Sequence, residues 1–227
     1  MTRRSITRIG LALTAALALV SCGNANKDTT ALLKQLPKAI FSKKQAPKPL
    51  TAQQIAQALG STTDSVYLFE LESRGKVQVL LQDIQRNGPY QTYGNPARQV
   101  IVLRDGMITS TRGLGGDLMS SEEDQLIAYV KARREGRVSY DQRFLTPEDV
   151  TEVRRYSCYL TTGGNVPVAA GLVRASGQLV TAKCTAADGV SRDFTNAYVV
   201  GSDGYIYSGR QWLGSYIGYV NSQVLRR

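Results

Sequence analysis

The chain predicts a mainly β protein: one antiparallel β-sheet domain, sandwich or open barrel-like, with two or three short helices. Three observations carry this. From residue 65 onward, segments rich in Val, Tyr, Phe and Leu recur at short intervals, as half-buried strands do. Turn signals separate them, the strongest being Asp105-Gly106, a two-residue hairpin signature. Helix starts with a matching apolar stripe stand out at only two places after residue 50.

The elements follow in order. A first helix is predicted over residues 51–59. Thr51 and Gln54 stand at capping-box spacing, Ile55 and Leu59 share a face, and Gly60 suits the left-handed position beyond the last turn. Strands are predicted at 65–71 and 76–82 around Ser73-Arg74-Gly75, at 90–93 after Asn87-Gly88-Pro89, and at 99–104 and 107–112 around Asp105-Gly106. A second helix is predicted over 121–134, with Ser120 and Glu123 at capping-box spacing. Its first turn carries Glu122, Glu123 and Asp124, and its last carries Lys131, Arg133 and Arg134. That distribution complements the helix dipole, which explains the acidic trio better than a metal or acid–base site. Strands resume after Pro147, at 154–162, 166–174 and 178–185, joined by Gly163-Gly164-Asn165 and Ser176-Gly177. Two more, at 194–200 and 205–209, flank Ser202-Asp203-Gly204, and a last one lies near 217–225. Residues 50–227 make a single domain without internal repeats.

The N-terminus adds an address. Arg3, Arg4 and Arg8 precede an apolar stretch that ends in Leu19-Val20-Ser21-Cys22. The stretch is too short for a comfortable membrane span, which needs roughly 20 apolar residues. Basic, apolar and small-residue regions in this order make a signal peptide, residues 1–21. The cysteine at the cut resembles a bacterial lipobox, which implies lipid attachment at Cys22. Residues 22–49 then read as a lipidated N-terminus and flexible tether, rich in Lys, Thr, Gln and Pro. The absence of Asp after Cys22 favours the outer membrane, with the domain held by its lipid and facing the periplasm.

Charge and cysteine usage fit that compartment. The whole chain has 28 basic and 18 acidic residues. Loss of the three leader arginines leaves 25 against 18, or +7. In the envelope such a charge either meets anionic lipid or anionic polysaccharide or serves solubility alone, and nucleic acid is not expected as a partner. With Cys22 acylated, Cys158 and Cys184 remain, most simply as a disulfide. The chain contains no histidine, which removes the usual general base and the commonest metal ligand. No catalytic set, metal site or cofactor is expected.

One segment carries a family likeness. Residues 100–119 read VIVLRDGMITSTRGLGGDLM. Together with Cys22, the Cys158/Cys184 pair, Phe194-Thr195-Asn196 and Arg210-Gln211-Trp212, this run resembles the YjbF/GfcB lipoproteins, linked to group 4 capsule and exopolysaccharide production. The resemblance implies an antiparallel β protein at the outer membrane without established enzymatic activity. It also implies two partners, an outer-membrane β-barrel protein and a periplasmic polysaccharide-secretion protein. The function expected is therefore a non-enzymatic accessory of polysaccharide secretion or assembly. The alternatives are a general chaperone lipoprotein for an outer-membrane barrel and a carboxylate-dependent carbohydrate-active enzyme.

The candidate binding residues are Arg112, Gly113, Leu114, Gly115, Asp117, Leu118, Arg210, Gln211 and Trp212. Arg112 and Asp117 flank a glycine turn and stand where they can pair across it. Read structurally, the segment is a tight corner before the second helix. Read functionally, Arg112, Arg210, Gln211 and Trp212 line a glycan or partner groove, with Trp to stack on sugars and Arg to grip glycan carboxylates. Trp212 suits a core anchor equally well.

Overall fold

The computed structural model describes residues 47–146 and 148–227. The signal peptide, Cys22 and the tether as far as residue 46 lie outside the described residues. The compact unit spans Ala46–Arg227.

Twelve antiparallel strands form one barrel-like sheet. In chain order they are β1 (Val66–Leu71), β2 (Val77–Asn87), β3 (Tyr90–Gly94), β4 (Val100–Arg104), β5 (Met107–Arg112) and β6 (Leu118–Glu122), followed by β7 (Gly136–Leu145), β8 (Thr151–Ala170), β9 (Val173–Ala186), β10 (Phe194–Val200), β11 (Ile206–Trp212) and β12 (Tyr219–Arg226). The order across the sheet is β5-β4-β3-β2-β1-β12-β11-β10-β9-β8-β7-β6. The first and last strands therefore pair, and the two edges of the sheet are β5 and β6, consecutive in the chain. Among the described residues, three short helices, α1 (Ala52–Gly60), α2 (Asp124–Lys131) and α3 (Gly214–Ile217), accompany the sheet.

The interior is divided. One apolar cluster gathers the inward residues of β7 to β10 with Leu126, Ile127 and Val130 of α2. A second gathers those of β1 to β4 and β12 with Leu114, Leu213 and Ile217. Met107 of β5 belongs to the first cluster and Ile108 to the second, so both faces of this edge strand are buried. The sheet curls far enough for β5 to abut β11, where the Ile206 N–H donates to the Asp105 carbonyl at 3.0 Å. Cys158 and Cys184 face each other in register on β8 and β9 and are disulfide-bonded.

Several elements differ from expectation. The Thr51–Gln54 capping box forms, but Gly60 lies inside α1 and Ser61 caps it, its hydroxyl donating to the Ala58 carbonyl at 2.8 Å. The second helix begins at Asp124 rather than at residue 121, because Ser120 and Ser121 pair with Arg143 and Gln142 as part of β6. The Ser120–Glu123 box is accordingly absent. Glu123 is the residue before the helix and its side chain makes no cap bond. Its buried carboxylate accepts from the hydroxyls of Tyr90 (3.2 Å) and Ser121 (2.8 Å) and from Arg104 (3.3 Å). Strand pairing and burial of this carboxylate outweigh helix extension.

Strand β7 is an addition to the expected set. Its inward positions, Val138, Tyr140, Gln142 and Phe144, alternate properly, but a Gln in a core slot masks the pattern. Strands β8 and β9 run unbroken past both expected turns. Gly163 and Gly164 form an irregularity in the β8–β9 ladder, and the chain reverses at Gly171-Leu172. Strand β11 extends beyond residue 209 to take in Arg210-Gln211-Trp212.

Candidate functional site

The two edges of the sheet are joined by side chains, and Asp117 is the centre of the join. Its Oδ1 accepts from the Thr111 hydroxyl (2.9 Å) and the Leu114 N–H (3.0 Å), and its Oδ2 from the Gly113 N–H (2.9 Å). The Thr111 Oγ1 in turn accepts from the Leu118 N–H at 3.1 Å. Arg112 reaches from β5 to β6, donating to the carbonyls of Thr111 (2.6 Å), Leu118 (3.3 Å) and Met119 (3.5 Å). The Ser121 hydroxyl, which donates to Glu123, lies 3.3 Å from the Thr109 carbonyl. Arg74 donates to the carbonyls of Leu114 and Gly115. Leu114 and Leu118 are buried beneath. Arg112 and Asp117 thus bond to the backbone around them and not to each other. A strand edge leaves N–H and C=O groups unpaired, and here the charged side chains of the loop supply the partners.

In β11 the Arg210-Gln211-Trp212 triplet separates. The buried Gln211 amide accepts from the Ile108 N–H (2.8 Å) and donates to the Ile108 carbonyl (3.0 Å). It thereby serves β5 as a neighbouring strand would. Trp212 is a core anchor. Its ring lies 6.4 Å from Phe194 and 5.2 Å from Tyr219. Its backbone N–H donates to Asn196 Oδ1 (2.8 Å), and its backbone carbonyl accepts from Gln142 Nε2 (2.8 Å). Neither Gln211 nor Trp212 faces a groove.

Arg210 does. Its Nε and Nη2 donate to the two carboxylate oxygens of Glu72, each at 2.8 Å, and its guanidinium lies 3.4 Å from the centre of the Tyr219 ring. The Asn221 amide donates to Glu72 (3.1 Å) and Glu70 (3.3 Å), and the Gln78 amide donates to Glu70 (3.0 Å). The hydrogen bond from Arg210 holds the Glu72 carboxyl below the usual glutamate range. The same bond raises Arg210. Glu70, Gln78, Arg210 and Asn221 line a concavity of about 300 Å³ that crosses the sheet surface from β2 to β9. Its walls offer carboxylate, amide and hydroxyl oxygens in fixed positions, suited to accept hydrogen bonds from a polyhydroxylated ligand.

Glu70, Glu72 and Asn221 are absent from the sequence-predicted set. Glu70 and Asn221 are polar residues at strand positions and Glu72 opens the turn after β1; the β11–β12 pairing sets Asn221 beside Arg210, and the β1–β12 pairing brings Glu70 and Glu72 to both. Gln142 and Asn196 escaped for the opposite reason, being amides in core slots. Among the described residues, no group of three or more Asp, Glu or Cys side chains is placed to hold a metal ion.

Fold and site together define a nearly closed β scaffold whose motif residues hold its edge strands together and whose outer face carries a polar groove. The family model described as group 4 capsule polysaccharide lipoprotein, GfcB and YjbF, matches residues 29–225, and the chain belongs to that family. A lipoprotein family places it in the cell envelope. Among solved structures, the fold is similar to that of the hypothetical lipoprotein YmcC from Escherichia coli K12, with a TM-score of 0.65 and 14% identity over 85% of this chain and 94% of that one. No curated protein matches the chain.

Proposed function

We propose that the protein is a non-enzymatic accessory of capsule or exopolysaccharide secretion, held at the outer membrane by lipid on Cys22 and facing the periplasm. In this role it contacts the polymer, an outer-membrane β-barrel protein and a periplasmic secretion protein. The observation that carries the polymer contact is the groove at Arg210, where Glu70, Glu72, Asn221 and Gln78 fix one another beside an open concavity. Because Glu72 already fills the Arg210 fork, the groove reads sugar hydroxyls rather than acid groups.

Co-purification from solubilised membranes tests this reading, with both protein and glycan as readouts. Deletion of the gene is expected to reduce surface polysaccharide, and the Asn221→Ala chain is expected to recover less glycan. Unchanged polysaccharide under inducing conditions sinks the proposal. Recovery of the barrel without glycan turns it toward a general barrel-assembly role.

A second reading has one observation in its favour. Glu70 and Glu72 both accept from the Asn221 amide, a closeness that carboxylate-dependent glycoside cleavage employs. Glu72, held ionised by Arg210, suits the nucleophile of such a pair and not its acid. Release of reducing ends from purified polymer, lost in Glu72→Gln, is the result that would select this reading.

A further inference from the structure

A second concavity, of about 390 Å³, opens beside the edge join, between the β5–β6 connection, the end of β7, the start of β8 and α3. Gly116, Phe144, Glu152, Arg154, Ser215 and Tyr216 form its walls. Two glycines bring the backbone onto its aromatic rings. Gly116, at φ +73°, leaves no room for a side chain, since a Cβ there would overlap the Tyr216 side chain, with Cγ at 2.7 Å. Gly214, at φ +87°, would place a Cβ 2.6 Å from the Phe144 ring. Both φ values favour glycine as well. Tyr216 is thus braced at its base while it remains 74% exposed, an unusual state for a large aromatic side chain.

The polar wall is equally fixed. Arg154 stacks 4.9 Å over the Phe144 ring. It donates Nε and Nη2 to the two oxygens of Glu152 (2.8 and 3.1 Å) and Nη1 to the Ser215 hydroxyl (3.4 Å). The Arg154 hydrogen bond lowers the Glu152 carboxyl, and Glu152 raises Arg154, so the pair stays ionised. Leu145, 49% exposed, adds an aliphatic rim. The cleft therefore presents an open aromatic ring opposite a neutralised ion pair and a hydroxyl. Sugar rings have that dual character, with C–H faces that pack on an aromatic ring and hydroxyls that bond to carboxylate, guanidinium and serine.

We propose that this cleft is a second polysaccharide contact, where one sugar unit of the polymer packs on Tyr216 and hydrogen-bonds to Glu152, Arg154 and Ser215. The proposal rests on the polymer-contact reading above. With the groove at Arg210 it gives two points of attachment on one rigid scaffold, so that polymer long enough to span both is held more tightly than either site alone holds it.

The test uses the full mature chain and, as probes, short oligosaccharides and long chains prepared from the cell-surface polysaccharide of the producing strain. Calorimetric titration of the wild-type chain is compared with Tyr216→Ala, Tyr216→Phe and the groove variant Asn221→Ala. Tyr216→Ala is expected to weaken long-chain binding about tenfold with an unchanged Tm, and Tyr216→Phe to retain it within about twofold, since the ring remains. Unaltered binding in Tyr216→Ala, with loss in Asn221→Ala, overturns the cleft and leaves the groove standing. Absence of binding by the wild-type chain overturns both. Unchanged glycan binding with loss of the co-purified barrel protein assigns the cleft to protein docking and overturns the proposal.

Discussion

The join at Asp117 and the groove at Arg210 are built from the same materials, a carboxylate, a guanidinium and neighbouring polar groups, and differ in where those groups end. At the join, Asp117, Arg112 and Thr111 end on backbone N–H and C=O groups. At the groove, Arg210, Asn221 and Gln78 end on the carboxylates of Glu72 and Glu70, which keep acceptor capacity toward solvent. The first arrangement consumes its polar groups to complete a sheet. The second fixes them and leaves them available. A polar motif therefore points to a binding surface only when the strand pairing around it is already satisfied by other means.

Variants that break the interior should cost the most stability. Gln211→Leu leaves the buried N–H and C=O of Ile108 without partners, at about 1–3 kcal/mol each, for a total near 4 kcal/mol. Urea unfolding of the mature chain measures it, and a loss below about 1 kcal/mol would show that β5 does not depend on β11. Replacing both Cys158 and Cys184 by Ser removes a cross-link of 26 positions, which the chain-entropy relation sets at roughly 3.5 kcal/mol. Polymer binding at 25 °C should survive the cysteine exchange, because neither Cys158 nor Cys184 lines either concavity.

Breaking the join is expected to rank next. Asp117→Ala removes three charge-assisted bonds at a half-exposed site, about 2.5 kcal/mol, and Asp117→Asn about half of that. Hydrogen exchange sharpens the comparison. Protection should fall first at Gly113, Leu114 and Leu118 in Asp117→Ala, while the amides of β11 and β12 stay protected. Uniform loss across the sheet would mean that closure is global and that the join is not a local clasp.

The strand-rich class, the Asp105-Gly106 hairpin and the α1 capping box are legible because each rests on local chemistry, and the Cys158–Cys184 bridge because two thiols remain once Cys22 is set aside. Gln211 and Trp212 were visible as a motif, but their destination was not. Whether a side chain faces a groove or the core depends on the end of β11, and residues 205–209 alone read as the strand. Gln142 in an inward slot hides β7 from the sequence pattern, and Ser120 and Glu123 imitate a cap that the second helix does not use. The groove was beyond reach for a different reason. Glu72 and Arg210 are 138 positions apart, and it takes the pairing of β1 with β12 and of β12 with β11 to join them.

The smallest effect on stability should come from the groove itself. Arg210 and Glu72 are partly exposed, so Glu72→Gln should cost less than about 1 kcal/mol, and less still at high salt. The sign of its pH dependence is fixed by the direction of the shift. Glu72 has a folded value lowered by Arg210, so its contribution is present at and above the ordinary glutamate range and is lost as the pH falls through the folded value. Unfolding curves of wild type and Glu72→Gln should therefore converge in acid and separate slightly at neutral pH. If Glu72→Gln or Asn221→Ala leaves stability nearly unchanged yet lowers polymer binding at neutral pH by tenfold or more, the groove is a surface kept for a ligand. If stability falls by as much as it does in Asp117→Ala, the array at Arg210 is a second clasp, and the difference between the two regions disappears.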